Sequence, residues 1–218
     1  IRASSTSRGL GDVYKRLLNN YTNIGFQTYF CALEEKDLME NLYFDGIRLG
    51  QVLDDPAVAE PAFRDADIVG FDMKCVSWQA IADPLKGQPN GIDSRTICRL
   101  TRYAGISDRI SFMGICEIPS TPMTNQLLAQ MIWYFIEGVQ YRFEEYPVNT
   151  NDFSKYSVTL SDQIMVFYKS ENSQRWWMEL TNNSHLNNKT KTKALLACTE
   201  KDYREATHDK IPERWYNA

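Results

Sequence analysis

Histidine is nearly missing from this chain: 218 residues include two, His185 and His208, both in the polar C-terminal region. Imidazole is the commonest metal ligand and a frequent general base, so no site made of several histidines can be assembled from this sequence. The cysteines (Cys31, Cys75, Cys98, Cys116 and Cys198) are odd in number, scattered and never in CxxC spacing. That excludes a disulfide framework and a structural zinc site and leaves buried free thiols in a reducing compartment as the expectation. Basic residues are not in excess, with Lys+Arg 24 against Asp+Glu 28 and a formal net charge of -4. The phosphates of nucleic acid demand a basic patch, and none is present; nor is there a polybasic cluster for an anionic membrane surface. No apolar run approaches the roughly 20 residues of a membrane span, and no secretory pattern opens the chain. GxGxxG, Walker and internal-repeat patterns are absent as well. The cytoplasm is the expected compartment. The chain opens on Ile1 rather than Met and runs into a polar stretch, Ser4 to Gly9, which raises the expectation of an upstream part.

What is present is an ordinary globular balance, 43% hydrophobic and 24% charged, in a chain long enough to bury a substantial core. Residues 1–21 read as a polar N-terminal segment. Thr22 to Cys31 is rich in β-branched and aromatic residues and predicts a strand. Glu34 to about Leu49 has near-helical apolar spacing, with Gly50 close to its end. Ile68 to Met73 is a short apolar run, predicted as a strand buried on both faces. A long loop from Ser77 to Gly91 leads to a helix from Asp93 to Ala104, with Gly105 as its C-terminal cap. Ile110 to Ile118 is a second apolar strand. Thr121-Pro122 opens a long helix with an apolar stripe of Leu127, Leu128, Met131, Ile132, Phe135, Ile136 and Val139, ending near Tyr146-Pro147. Alternating stretches at Tyr156 to Leu160, Ile164 to Tyr168 and Arg175 to Leu180 predict antiparallel strands, and a short helix near Lys201 to Ala206 closes the chain. Strand, helix, strand, helix in this order implies βαβ units and a parallel sheet over residues 22–147, with a β-rich tail over 148–218.

In open α/β sheets ligands bind beyond the carboxyl ends of the strands. Asp72 ends the first apolar strand and Glu117 the second. If the two strands are neighbours, both carboxylates point over one edge. Burying an acid there is costly unless it is paired, hydrogen-bonded or bound to a metal. Position alone favours a helix cap or a salt bridge to a nearby arginine.

The segments GFDMKCVSW, QPNGID, RYAGISDRISFMGICEIPS and TNQLLAQMIWYFIEGV, with FYKS, RWWMEL and IPERW in the tail, resemble in order and spacing the C-terminal half of the ureohydrolase family. That family comprises arginase, agmatinase and formimidoylglutamase, and the likeness is greatest to the formimidoylglutamase-like branch. The resemblance runs from about Thr22 to the end. It implies a three-layer α/β/α fold with a mainly parallel sheet, an antiparallel β extension, and a dinuclear manganese site whose hydroxide attacks the carbon of a guanidinium or formimino group. Bound metal lowers the pKa of water enough to supply that hydroxide. It further implies that Glu117 faces a substrate's cationic nitrogen, that Asn90 and Gly91 line the substrate site, and that Asp72 is the metal-bridging aspartate.

The departures from the family pattern are as informative. The second aspartate of the family's Asp-x-Asp pair is Lys74 here, which has three donors, no acceptor and a positive charge. The third ligand position is Ser77, and Asp83-Pro84 lies too far along to replace it. No His-x-Asp cluster precedes Asp72. Because residues two apart on a strand share a face, Lys74 is expected to place its ammonium near Asp72 and neutralise it in place of manganese; the alternative is that Lys74 reaches out to solvent. Asp72 is then a vestigial metal ligand, with no catalytic residue assigned and no cofactor expected in this chain beyond the manganese of the family. Cys75 and Cys116 have no neighbouring base and read as core thiols. Trp176, Trp177 and Trp215 read as packing residues. Asn182-Asn183-Ser184 and Asn188-Lys189-Thr190 match the glycosylation pattern without secretory context. The expected function is that of a ureohydrolase-like protein with a degraded or incomplete metal site; the alternative is a non-catalytic binding or scaffold protein on the same fold. A small cationic amidine or amino acid is the expected ligand, and a second copy or a protein partner is possible on either reading.

Overall fold

Two parallel strand pairs carry the N-terminal part of the chain. The computed structural model describes residues 20–42, 44–145, 148–160, 163–180 and 194–216. Strand β1 (Thr22–Phe26) is followed by helix α1 (Leu33–Asn41), strand β2 (Asp45–Arg48) and helix α2 (Leu49–Asp54). β1 and β2 pair in parallel, with Ile24 opposite Ile47. The single helix expected from Glu34 to Leu49 is therefore two helices separated by a strand, and Gly50 lies inside α2 instead of ending α1. The physical reason is local to Gly46: a Cβ there would come within 2.9 Å of the Phe26 ring. Glycine is a poor helix former and here allows β2 to close on β1, while Asp45 N donates to Tyr21 O (3.0 Å).

Helix α3 (Glu60–Asp65) leads into β3 (Ile68–Asp72), and after the short helix α4 (Trp78–Ile81) come α5 (Ser94–Ile106), β4 (Phe112–Cys116) and α6 (Pro122–Gln140). β3 and β4 are parallel neighbours in unbroken register from Ile68 opposite Phe112 to Asp72 opposite Cys116, as the βαβ order predicts. Alternation puts Val69, Phe71, Met113 and Ile115 on one face. They pack with Ile97, Leu100, Ala104, Leu127 and Met131 of α5 and α6 in one core. The other face is open: Ile68 is 68% and Phe112 59% exposed, and Gly70 has nothing within 4 Å of its Cβ position. Among the described residues, β3 is thus covered on one face, not both: the helices α5 and α6 pack on the face of Val69 and Phe71.

Asp93 caps α5 by accepting from Arg95 N (2.8 Å) and Thr96 N (3.0 Å). Thr121 caps α6 by accepting from Thr124 N (3.0 Å), and its hydroxyl donates to Ile81 O (2.6 Å). Gly105 is not a C-terminal cap. It is buried within α5, where α6 crosses: a Cβ on Gly105 would meet Phe135 O at 2.2 Å, and one on Gly138 would meet Arg102 O at 2.6 Å. α6 stops at Gln140, earlier than expected. Arg142 then donates to Gly105 O (3.0 Å) and Ile110 O (2.9 Å), and the amides of Glu144 and Glu145 turn onto the Asp108 carboxylate. Tyr146 and Pro147 lie outside the described residues.

The tail is a four-stranded antiparallel sheet of β5 (Phe153–Thr159), β6 (Ile164–Ser170), β7 (Trp176–Leu180) and β8 (Ala194–Cys198), in that order. Three of these strands are legible as alternation; no strand was expected at β8. Helix α7 (Glu200–Thr207) follows, and Trp176 stacks on its Tyr203 with ring centres 4.7 Å apart. Trp176 and Trp177 are buried, in keeping with packing roles. A short helix, α8 (Glu213–Tyr216), ends the described chain. Arg64 of α3 binds the tail to the α/β part: it donates to Trp176 O (2.9 Å) and Cys198 O (2.6 Å), pairs with Glu60 and lies 4.7 Å over the Trp177 ring. Among the described residues no helix is long and apolar enough to cross a membrane.

Candidate functional site at the sheet edge

The parallel register brings the two acids together. Asp72 closes β3 opposite Cys116, and Glu117 follows directly on β4. Beyond Asp72 the chain leaves the strand and enters a 3₁₀ turn, Met73–Cys75. This turn decides the chemistry. Asp72 Oδ1 accepts from the backbone N–H of Lys74 (2.9 Å), capping the turn. The Lys74 side chain points instead to β4, where Nζ lies 2.7 Å from Glu117 Oε2. The expectation that Lys74 neutralises Asp72 is thereby corrected: strand alternation does not extend into a 3₁₀ turn, and the ammonium reaches the other carboxylate. The hydrogen bond and positive charge of Lys74 hold the Glu117 carboxyl below the usual carboxylate range, with a smaller contribution from Lys86.

Glu117 has φ +54°, the left-handed region that side chains with a Cβ seldom adopt. Such backbone concentrates at sites where a side chain must be aimed. The facing turn is pinned as well: Ser77 N donates to Ile92 O (2.9 Å), Ile92 N to Cys75 O (2.8 Å) and Gln88 N to Val76 O (3.0 Å). Gly91 is required for this closure, since a Cβ would come within 2.6 Å of Ser77 N and 2.8 Å of Cys75 O. Asn90 is tied to the end of β1: its carbonyl accepts from Gln27 Nε2 (2.9 Å) and its Nδ2 lies 3.4 Å from Gln27 Oε1. The loop 88–92 therefore joins the carboxyl end of β1 to that of β3. Neither Gln27 nor Lys86 stood out in the sequence: the partner of Gln27 is Asn90, 63 residues away, and Lys86 sits in a loop folded by Asp83, whose nearness to Glu117 no local pattern encodes.

The remaining candidates lie apart from this arrangement. Asp83 folds its own loop by accepting from Leu85 N (3.0 Å) and Lys86 N (3.2 Å). His208 is exposed, with Nδ1 2.7 Å from Arg204 O. His185 and both glycosylation patterns lie outside the described residues. Cys75 fits the expected core thiol, its pKa pushed up to about 12 by burial and by the nearby Asp72 charge, so it stays protonated at neutral pH and is a poor nucleophile. Cys116 does not: it is exposed on the open face of β4, its thiol 3.5 Å from Phe71 O. Two surface depressions, of about 460 and 520 Å³, are lined by residues around Asn151 to Ser154 and around Asp54, Asp93 and Arg99; neither includes Asp72 or Glu117.

A dinuclear manganese centre needs several carboxylate or imidazole donors converging on two ions. Among the described residues no group of three or more His, Cys, Asp or Glu side chains is placed to hold even one metal. One of the two carboxylates at the edge is already paired with an ammonium. The described residues do not fit the metal pair that the resemblance implies.

No protein-family model matches the chain, and no curated protein matches it either. Solved structures do match. Formiminoglutamase from Trypanosoma cruzi, in a crystal form with Mn²⁺, superposes with a TM-score of 0.51 at 16% identity, over 56% of this chain and 45% of that one. An arginase superfamily protein from Trypanosoma cruzi gives the same TM-score and identity over 56% of this chain and 43% of that one. The matched part thus spans less than half of the solved chains. Over that part the chain has the ureohydrolase fold, in the form seen in formiminoglutamase.

Proposed function

We propose that this chain is a ureohydrolase-like protein whose sheet-edge site, with the residues it has, binds a small ligand or serves as a scaffold and does not hydrolyse amidines. The observation that carries this reading is the 2.7 Å contact between Lys74 Nζ and Glu117 Oε2. A protonated lysine cannot ligate a metal, and its charge repels a divalent ion from the adjoining Asp72. In this reading the two parallel pairs belong to one sheet of a three-layer α/β/α body, and the preferred ligand is a small cationic amidine or amino acid.

A second reading, an active hydrolase whose remaining ligands come from elsewhere, is favoured by the coverage of 45% of the matched formiminoglutamase chain. Release of urea or formamide from arginine, agmatine and formiminoglutamate, assayed with added Mn²⁺, separates the two. The expected result is no metal-dependent turnover of any of the three. Turnover that rises with Mn²⁺ and disappears in Asp72→Asn would establish the second.

A further inference from the structure

The Lys74–Glu117 pair has a geometry that goes beyond the loss of a metal site. The two side chains come from different strand ends and meet across the edge of the sheet. The Lys74 backbone is fixed by the Asp72 cap and by the bridge from the turn to loop 88–92, and Glu117 sits in left-handed backbone at φ +54°. The Lys74 stem is long and flexible, and both side chains are about half exposed, at 55% and 52%. An ion pair with that exposure is weak and screened by salt. It is an occupant that can leave, not a lock.

From this geometry, and resting on the reading above, we infer that the Lys74 ammonium is an internal ligand of Glu117, seated where the cationic nitrogen of an external amidine or guanidinium would bind and competing with it. The site is self-filled. Removing the ammonium frees an aimed carboxylate on which Lys86 still acts, and more weakly than Lys74, while Asp72 Oδ1 stays bonded to the Lys74 backbone N–H. Lysine and guanidinium ligands differ in a way that favours exchange: guanidinium is planar and offers paired donors matched to a carboxylate, whereas ammonium is a point charge.

Agmatine is the probe, titrated at low ionic strength into wild type, Lys74→Ala and Lys74→Ala/Glu117→Gln, with binding read by calorimetry and folding checked by thermal unfolding. Both positions are solvent-exposed, so all three proteins should fold alike. Lys74→Ala is expected to bind agmatine about three- to fivefold more tightly than wild type, the range open to a competing exposed ion pair. The gain is expected to vanish in the double variant. Equal affinity in wild type and Lys74→Ala, including no binding by either, overturns the inference, as does a gain that survives Glu117→Gln. Manganese binding by wild type would instead defeat the reading of the site as metal-free, so the two failures are distinguishable.

Discussion

Replacing Arg64 by alanine is expected to lower the unfolding free energy by about 3 kcal/mol, read as a drop in the urea midpoint with an unchanged slope. The guanidinium is the polar joint between the α/β part and the β tail. Its two terminal nitrogens donate to the carbonyls of Trp176 and Cys198, residues paired across β7 and β8, and its flat face covers the Trp177 ring. Alanine leaves two carbonyls without their donor in a place that water reaches poorly, and each unsatisfied group costs on the order of 1–3 kcal/mol. Glu60 limits the damage, because it keeps Arg175 at 3.3 Å. Lysine cannot serve both carbonyls with a fork, so Arg64→Lys should lose about half as much.

The Arg64→Ala loss should also grow with pH. Burial raises the Asp65 pKa, while the charge of Arg64 acts to lower it. A carboxyl whose folded pKa is raised favours the folded state when protonated and disfavours it as pH rises from its unfolded to its folded pKa. Without Arg64 the folded value climbs further, so the deficit at pH 7 should exceed that at pH 4. A loss under 1 kcal/mol, or one that shrinks with rising pH, would show that the tail is held by other contacts.

The second large effect is expected at the helix crossing. Gly105→Ala should destabilise the fold by about 1–3 kcal/mol, even though alanine is the better helix former by roughly 1 kcal/mol. The propensity gain is outweighed because the obstacle, Phe135 O at 2.2 Å, is backbone, and a whole helix must move to relieve it. Gly70→Ala provides the control. It adds the same methyl group to a position with open space and should leave the thermal midpoint nearly unchanged. If both variants behave alike, the close crossing of α5 and α6 is wrong.

The parts of the fold that could be read from sequence are those where a local period and the burial agree. The apolar runs 68–72 and 112–116 with an amphipathic helix between them suffice to place Asp72 and Glu117 at one edge, since a parallel register follows from the βαβ connection. β2 was hidden because DGIR carries a glycine and two charges and becomes a strand only by pairing with β1. Gly105 and Gly138 were equally opaque: a helical glycine signals a cap or a crossing, and only the partner helix tells which. At the site, identity was legible but partnership was not. That Lys74 stands beside Asp72 is plain from sequence; that its ammonium turns to Glu117 depends on the strand ending two residues before Lys74.

The most direct test of the account is the manganese content of the purified chain after equilibration with Mn²⁺ and removal of free ion. With one carboxylate capping a turn and the other beside an ammonium that repels divalent ions, far less than one ion per polypeptide should remain, with Asp72→Asn making no difference. Two ions per polypeptide, lost when Asp72 is replaced, would contradict it.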